Sequence, residues 1–335
     1  MTFAVGTIVA RNYLAFARVL ARSFREHHPH VPLFVLLADE VDGAFDPAAE
    51  PFQLLRLENL DIAHLDRFCF RYSRQQVVVA AKPYLLSHLL NRGFRRAAFL
   101  DADLLVLGDL TPLLAPAGDP AILLTPHLLA PLAGKDRIER ELNILQSGIY
   151  NGGFLGVSDS PAAHRFLAWW QNRLYLHCRH SIAEGMHYDQ RWLDLVPAFF
   201  EDVGIVRDPR YNVAHWNLPE RDVSSCCLFH FSGFNPDEPR VVTKYSRRLT
   251  MGDLGPLFDR YTKLLEEAGW HESKSWPYAY DFFDNGAPIP DFARRIHLEL
   301  GEAAEVFGNP FRTAPAHSYF RCLNEPLPEG LRWPP

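Results

Sequence analysis

The chain has 335 residues, 48% of them hydrophobic, and a formal net charge of -6, so it can bury a large core and carries no global basic field for nucleic acid or an anionic membrane surface. No stretch approaches the roughly 18 uninterrupted apolar residues of a membrane helix, and Arg11, Arg18 and Arg22 stand where a signal peptide needs an apolar core. Five cysteines, with Cys226 and Cys227 adjacent, make a poor disulfide framework and no Cys-x-x-Cys zinc pattern, so the expectation is a cytoplasmic protein with reduced thiols, at most peripheral to the inner face of the membrane.

Residues 3–10 read as a buried strand, followed by Arg11-Asn12-Tyr13 and an amphipathic helix with Leu14, Ala17, Leu20, Ala21 and Phe24 on one face. The intervening loop lacks the glycines of a dinucleotide fold or a P-loop. Tyr13 could stack on a base while Asn12 bonds its edge; a helix-capping Asn and a packed Tyr are the structural alternative. His27, His28 and His30 read as a solvated corner. Residues 31–38 form a second strand, with Asp39 and Glu40 at its carboxyl end placed to contact a nucleotide, and 54–57 a third. Residues 62–92 read as helix broken at Tyr72-Ser73 and at Lys82-Pro83, with Gly93 as the stop. Lys82 lies in an apolar setting, where its charge either finds a partner in the acids that follow or snorkels to solvent.

Residues 96–107 are almost wholly apolar except for Asp101 and Asp103, and read as one strand buried on both faces. On an extended strand the two acids share a face, roughly 6 to 7 Å apart. That spacing suits a hard divalent cation together with the phosphates or hydroxyls of its ligand, the plain alternative being a strand-end turn with solvated acids. Ligands in open α/β sheets lie at the carboxyl ends of strands, where this pair falls. A strand over 121–125 and a helix over 136–145 follow. In the strand pattern of 146–157, Gly152 and Gly153 indicate a bulge or a backbone pressed against a ligand, and Asn151 beside them offers an amide to a sugar hydroxyl.

Ser160-Pro161 opens a helix running to Leu176, whose Trp169 and Trp170 belong to the core. Asp189 falls in the first turn of a helix, where the dipole alone would favour an acid, and Gln190 follows it. Residues 201–206 read as a late strand. Residues 226–231 form an apolar strand interrupted by His230: alone it would be a core histidine, but beside an Asp pair it reads as a third ligand. Lys244, Arg247 and Arg248 make a basic patch suited to phosphates. A helix over 254–268 ends at Gly269. The expected division is a main catalytic domain over 1–250 and a helical and irregular appendage over 251–335, packed against it or lining the side of a second substrate, with one helix over 292–306.

Taken together, these residues resemble the retaining glycosyltransferases of the GT-A fold, the group that includes glycogenin and the bacterial lipopolysaccharide galactosyl- and glucosyltransferases. The resemblance runs from residue 3 to 236 in the same order. Asn12-Tyr13 is similar to the base-binding entry and Lys82 to the lysine ahead of the metal strand. Residues 100–106 are similar to the Asp-x-Asp strand, Asn151-Gly152-Gly153 to the donor-sugar motif, and Asp189-Gln190 to the pair beside the anomeric carbon. His230-Phe231-Ser232-Gly233 resembles the start of a His-x-x-Gly-x-x-Lys-Pro-Trp motif. Where that motif carries its lysine this chain has Pro236, so Lys244, Arg247 or Arg248 would take its place from a longer loop.

The resemblance implies an α/β GT-A fold, with a mixed, mostly parallel central sheet flanked by helices. It also implies metal-dependent transfer of a sugar from a nucleoside-diphosphate donor, UDP-linked in preference, to a carbohydrate or glycoconjugate hydroxyl with retention. Asp103 and His230 would be direct ligands and Asp101 shared with a donor hydroxyl, on Mn²⁺ or Mg²⁺, the mixed carboxylate and imidazole set tilting toward Mn²⁺. Three alternatives remain. A sugar-1-phosphate nucleotidyltransferase would need a glycine-rich loop after Val5-Gly6-Thr7. A haloacid-dehalogenase-like phosphatase would need Thr or Val where Leu105 stands. The third is a catalytically silent nucleotide-sugar-binding relative.

Overall fold

The computed structural model describes residues 3–246 and 249–324. Arg247 and Arg248 lie outside the described residues. The strands, in chain order, are β1 (Phe3–Val9), β2 (Leu33–Leu37), β3 (Gln53–Arg56), β4 (Arg96–Leu100), β5 (Leu104–Val106), β6 (Ile122–Pro126), β7 (Tyr150–Ser158), β8 (His180–Ser181), β9 (Met186–His187), β10 (Val203–Ile205), β11 (Val213–Ala214) and β12 (Leu228–His230). Seven of them form one sheet in the order β10-β6-β7-β4-β1-β2-β3, in which β7 alone runs against its neighbours. A second sheet, β11-β12-β5, stands beyond the carboxyl end of β4, and β8 pairs β9 as a small hairpin.

Period-two alternation divides the apolar residues of the large sheet between two cores. Val5, Val9, Leu33, Val35, Ala98 and Leu100 face one. Ala4, Ile8, Phe34, Leu36, Ala97 and Phe99 face the other. The first core is closed by the helices Leu14–His27 and Gly255–Glu267, the second by Lys82–Asn91 and Pro161–His177. The architecture is therefore the expected α/β one, a mostly parallel central sheet flanked by helices. Local signals place the helix starts: Ser160 Oγ accepts from the Ala163 N–H at 3.3 Å, and Pro83 occupies the first turn after Ala81, where a missing N–H costs nothing.

Several expectations need correction. Residues 96–107 are not one strand. β4 is flanked by β1 and β7, but β1 pairs it only as far as Phe99. The chain then turns, with the Leu104 N–H donating to the Asp101 carbonyl at 3.2 Å, and β5 pairs β12 in the second sheet. Both halves are buried on both faces, which is why their composition reads as continuous. The corner at His27 to His30 is not wholly solvated, since His28 is buried and its Nε2 accepts from the Leu110 N–H at 2.9 Å. Asp39 is closed to a ligand because its carboxylate is buried and accepts from the N–H groups of Arg11, Glu40 and Ala279. The helix expected over 292–306 is Asp291–Leu300, broken at Gly301 (φ +55°) and continued as 3₁₀ turns to Phe307.

Past residue 270 the chain packs against this frame. Trp270 enters the first core. The Arg294 guanidinium donates to the carbonyls of Phe70 and Tyr72 at 2.7 and 3.1 Å, satisfying acceptors where one helix stops before the next begins. No helix among the described residues is long and apolar enough to cross a membrane.

Candidate functional site

The end of β4, the start of β5, the end of β12 and the middle of β7 meet at one place. Ligand atoms of Asp101, Asp103 and His230 all lie within 4.8 Å of one another, a group able to hold a metal ion. His230 Nε2 stands 3.0 Å from Asp103 Oδ1 and 3.8 Å from Asp101 Oδ2. The acids reach this point from a turn and not from one strand face. That turn is pinned on both sides: the Asp101 N–H donates to the Gly153 carbonyl at 2.8 Å, and the Asp103 carbonyl accepts from the Phe231 N–H at 2.9 Å. Their side chains are 29% and 24% exposed, against 4% for the imidazole, so the carboxylates face an opening while the histidine backs them.

Lys82 lies behind this group, buried at the first position of its helix. Its ammonium contacts Asp189 Oδ2 at 3.0 Å, Asp101 Oδ1 at 3.2 Å and the Gly152 carbonyl at 2.9 Å, and rests 4.7 Å from the centre of the Phe99 ring. A buried cation persists only with such partners. Burial opposes the Lys82 charge, but the two carboxylates outweigh it and hold the ammonium well above its ordinary pKa. Burial raises Asp101, against the pull of Lys82 and His230. Burial also acts on Asp103, yet the imidazole beside it holds that carboxyl below the usual range. For His230 the burial penalty is likewise outweighed by Asp103, and its pKa is raised.

The glycines at 152 and 153 are required by these side chains. A Cβ at Gly152 would stand 2.7 Å from Asp189 Oδ2, and one at Gly153 would stand 2.5 Å from His230 Cε1 and 2.6 Å from Asn151 Oδ1. Asn151 is buried and does not present its amide to solvent. Its Oδ1 accepts from the Gly153 N–H (2.9 Å) and Asn212 Nδ2 (3.0 Å), and its Nδ2 faces Gln190 Oε1 (3.1 Å) and His127 Nε2 (3.2 Å). Gln190 Oε1 also accepts from the Gly152 N–H at 3.0 Å, and its Nε2 donates to the Ser147 carbonyl at 2.8 Å.

At the rim, Tyr13 is 41% exposed and stacks on Phe16 with ring centres 4.6 Å apart; the charge of Asp103 acts on both Tyr13 and Tyr245. Asn12 is buried with an Oδ1 that has no partner among the described residues. A cleft of about 430 Å³ near this turn is lined by Arg11, Glu40, Asp42, Pro277, Ala279 and Phe282. Gly233 (φ +73°) lets residues 243–245 lie against the end of β12, where a Cβ would stand 2.6 Å from the Tyr245 ring. Lys244 is exposed, its ammonium 5.2 Å from the centre of that ring, and joins none of the contacts of the buried cluster. Arg247, the other expected phosphate contact, falls outside the described residues.

Sequence reasoning missed Asn212, His127 and Trp216. The Trp216 ring lies edge-on to both His127 and His230, with centres 5.0 and 5.2 Å away. Burial pushes the His127 imidazole down to about 4. Their segments carry no motif or period, and only the fold brings them behind Asp101, Asp103 and His230.

No family model matches the chain. It is similar to two uncharacterized proteins of Bacillus subtilis (strain 168). YfnF is 26% identical over 289 residues, covering 79% of this chain and 92% of the relative. YfnD is 24% identical over 254 residues, covering 70% and 78%. Solved structures that it resembles include glycosyltransferases. They include the galactosyltransferase LgtC in complex with donor and acceptor sugar analogs (17% identity, 79% of this chain and 95% of that one, TM-score 0.49). GlyE from Streptococcus pneumoniae TIGR4 is another (14%, 84% and 66%, TM-score 0.48), as is the bifunctional WbbM (14%, 79% and 50%, TM-score 0.47). None of these three likenesses reaches a TM-score of 0.5, so the function is argued below from the side chains.

Proposed function

We propose that this protein is a GT-A-type glycosyltransferase. It would move a sugar from a nucleoside-diphosphate donor, UDP-linked in preference, to a hydroxyl of a carbohydrate or glycoconjugate acceptor, with retained anomeric configuration and the help of a divalent cation. One observation carries the reading: Asp101, Asp103 and His230, remote in sequence, converge within 4.8 Å, with Lys82 and Asp189 ion-paired directly behind them. Two hard carboxylate oxygens and one imidazole, the acids open to the outside, fit a divalent metal ion, and the mixed donor set favours Mn²⁺ over Mg²⁺. A cation bound there would supply Lewis-acid stabilisation of the departing diphosphate.

The chain's own residues do the holding. Asp101, Asp103 and His230 are the ligands in this reading, with Asp101 also in reach of a donor hydroxyl. Lys82 pairs with Asp101 and Asp189 and holds their carboxylates in register, so that the electrostatics are set before the substrate arrives. Asp189 and Gln190, braced against Gly152, border the donor sugar, and Asn151 acts by fixing Gln190. Asn12 and Tyr13 serve the base, Gly233 shapes the loop over the diphosphate, and Lys244 and Arg247 would supply positive charge for its phosphates. The region from 251 onward lies toward the acceptor.

The test is release of the nucleoside diphosphate from a panel of UDP- and GDP-sugars, with and without Mn²⁺ and with the Asp103→Asn variant alongside. Mn²⁺-dependent release of UDP, lost in the variant, is expected. Phosphate liberated from simple phosphomonoesters without UDP would replace this reading with a phosphatase. Binding of UDP-sugars without turnover, whatever acceptor is supplied, would leave a silent relative.

A further inference from the structure

We propose that Asn212 is a positioning residue that fixes the ring orientation and tautomer of His230, so that Nε2 carries the lone pair offered to a divalent cation. The inference rests on the metal reading of the site and adds a residue that the reading does not need in order to be stated.

The tautomer follows from backbone groups whose roles cannot be exchanged. The Gly153 N–H can only donate, and it donates to one amide atom of Asn151 at 2.9 Å, so that atom is the oxygen. The Gly152 N–H and the Ser147 carbonyl orient Gln190 in the same way, at 3.0 and 2.8 Å. Gln190 Oε1 then faces the Asn151 Nδ2 at 3.1 Å, which agrees with the first assignment. His127 adds a second check, with Nδ1 directed at the Ile149 carbonyl (3.3 Å) and Nε2 left to accept from Asn151 Nδ2 (3.2 Å). With Asn151 Oδ1 established as an acceptor, the Asn212 atom 3.0 Å from it must be Nδ2. Asn212 Oδ1 is then the atom 3.1 Å from His230 Nδ1, and Nδ1 must carry a proton to donate to it. In the neutral ring that a metal ion requires, the lone pair is then left on Nε2, the atom that faces Asp103 and Asp101.

Metal-ligating histidines are held in this manner by a hydrogen bond to the other ring nitrogen, and loss of that partner typically lowers metal affinity about 10- to 100-fold. Asn212 is 1% exposed and has a φ of +55°, a conformation that Asn, Asp and Gly adopt more readily than other residues. A purely backbone role would therefore be met as well by glycine, and this gives the test its discriminating variant.

Mn²⁺ is titrated calorimetrically into the metal-free full chain, with no donor or acceptor present, for the wild type, Asn212→Gly, Asn212→Asp, Asp103→Asn and His230→Ala. Asn212→Gly keeps the backbone conformation and removes the amide, so affinity should fall about 10- to 100-fold. Asn212→Asp keeps an acceptor opposite Nδ1 while losing the donor to Asn151 Oδ1, and should lose less than about tenfold. Wild-type affinity in Asn212→Gly, or a fall in Asn212→Asp as large as in Asn212→Gly, overturns the assignment while leaving the metal site standing. A wild type that binds no Mn²⁺, or one whose binding is unchanged by Asp103→Asn and His230→Ala, overturns the metal reading and this inference with it.

Discussion

Lys82 is the side chain on which the charges of the cluster depend. It neutralises two carboxylates at 3.0 and 3.2 Å in a buried setting. Removing one partner of a buried pair strands the others, at a cost of about 3–5 kcal/mol. Lys82→Met should therefore lose about that much stability at pH 7, measured by urea denaturation. Without the ammonium, burial would raise the Asp101 carboxyl still further above its unfolded value, so the deficit should shrink as the pH is lowered to 5; an equal deficit at both values would show that the pairing is not its cause. Gly153→Ala tests the other contact. Its Cβ would meet the His230 ring at 2.5 Å, and the expected outcome is a Mn²⁺ affinity reduced at least about tenfold in a protein that still folds. Lys82 was legible in sequence because a lone charge in an apolar run must be explained. Asn212 was not, because a single Asn between Tyr211 and Val213 carries no pattern.

At the scale of elements, the helix Asp291–Leu300 makes a pH-dependent contribution. His297 projects between Phe70 and Tyr319, with ring centres 5.0 and 5.1 Å away, and neither of its nitrogens has a partner among the described residues. Burial pushes its imidazole down from 6.5 to about 4. The unfolded chain binds the proton more readily, so the stability His297 contributes as a neutral ring is complete above about pH 6.5 and is lost as the pH falls toward 4, by up to about 3 kcal/mol. Burial also holds His127 and His215 neutral, so the informative quantity is a difference. The stability of His297→Leu relative to the wild type should rise between pH 7 and 5 in paired denaturation curves, and parallel pH profiles would show that the ring is not buried neutral. The break at Gly301 has the same local signal as the stops at Gly93 and Gly269, a glycine at positive φ; the reading of 292–306 as one helix followed the apolar spacing, which continues through it.

Across the whole molecule the site is a junction of segments remote in sequence: the turn between β4 and β5, the end of β12, the middle of β7 and the start of the helix Lys82–Asn91. A cation bound there would add a further tie between two sheets already joined by the turn between β4 and β5 and by the hydrogen bond from Asn212 to Asn151. Mn²⁺ at 100 times its Kd should therefore stabilise the folded state by about 2.7 kcal/mol. A raised thermal midpoint, reversed by EDTA and absent in Asp103→Asn, is the expected result; the same increase in that variant would place the ion elsewhere.

The sequence by itself determined the alternation that sorts β1, β2 and β4 between two cores, the helix starts at Ser160 and Lys82, and the residue types a metal-and-phosphate chemistry would need. These are local matters, set by periodicity, capping and the cost of a charge in apolar surroundings. Tertiary structure alone decided that residues 96–107 divide between two sheets, that Asp39 is sealed under Ala279, and that Asn151 holds Gln190 and Asn212 while facing away from solvent. Each of those outcomes depends on which donor meets which acceptor across long separations in the chain. Hydrogen-bond pairing of that kind leaves no period in the sequence, because its direction is dictated by backbone groups brought alongside only when the sheets assemble.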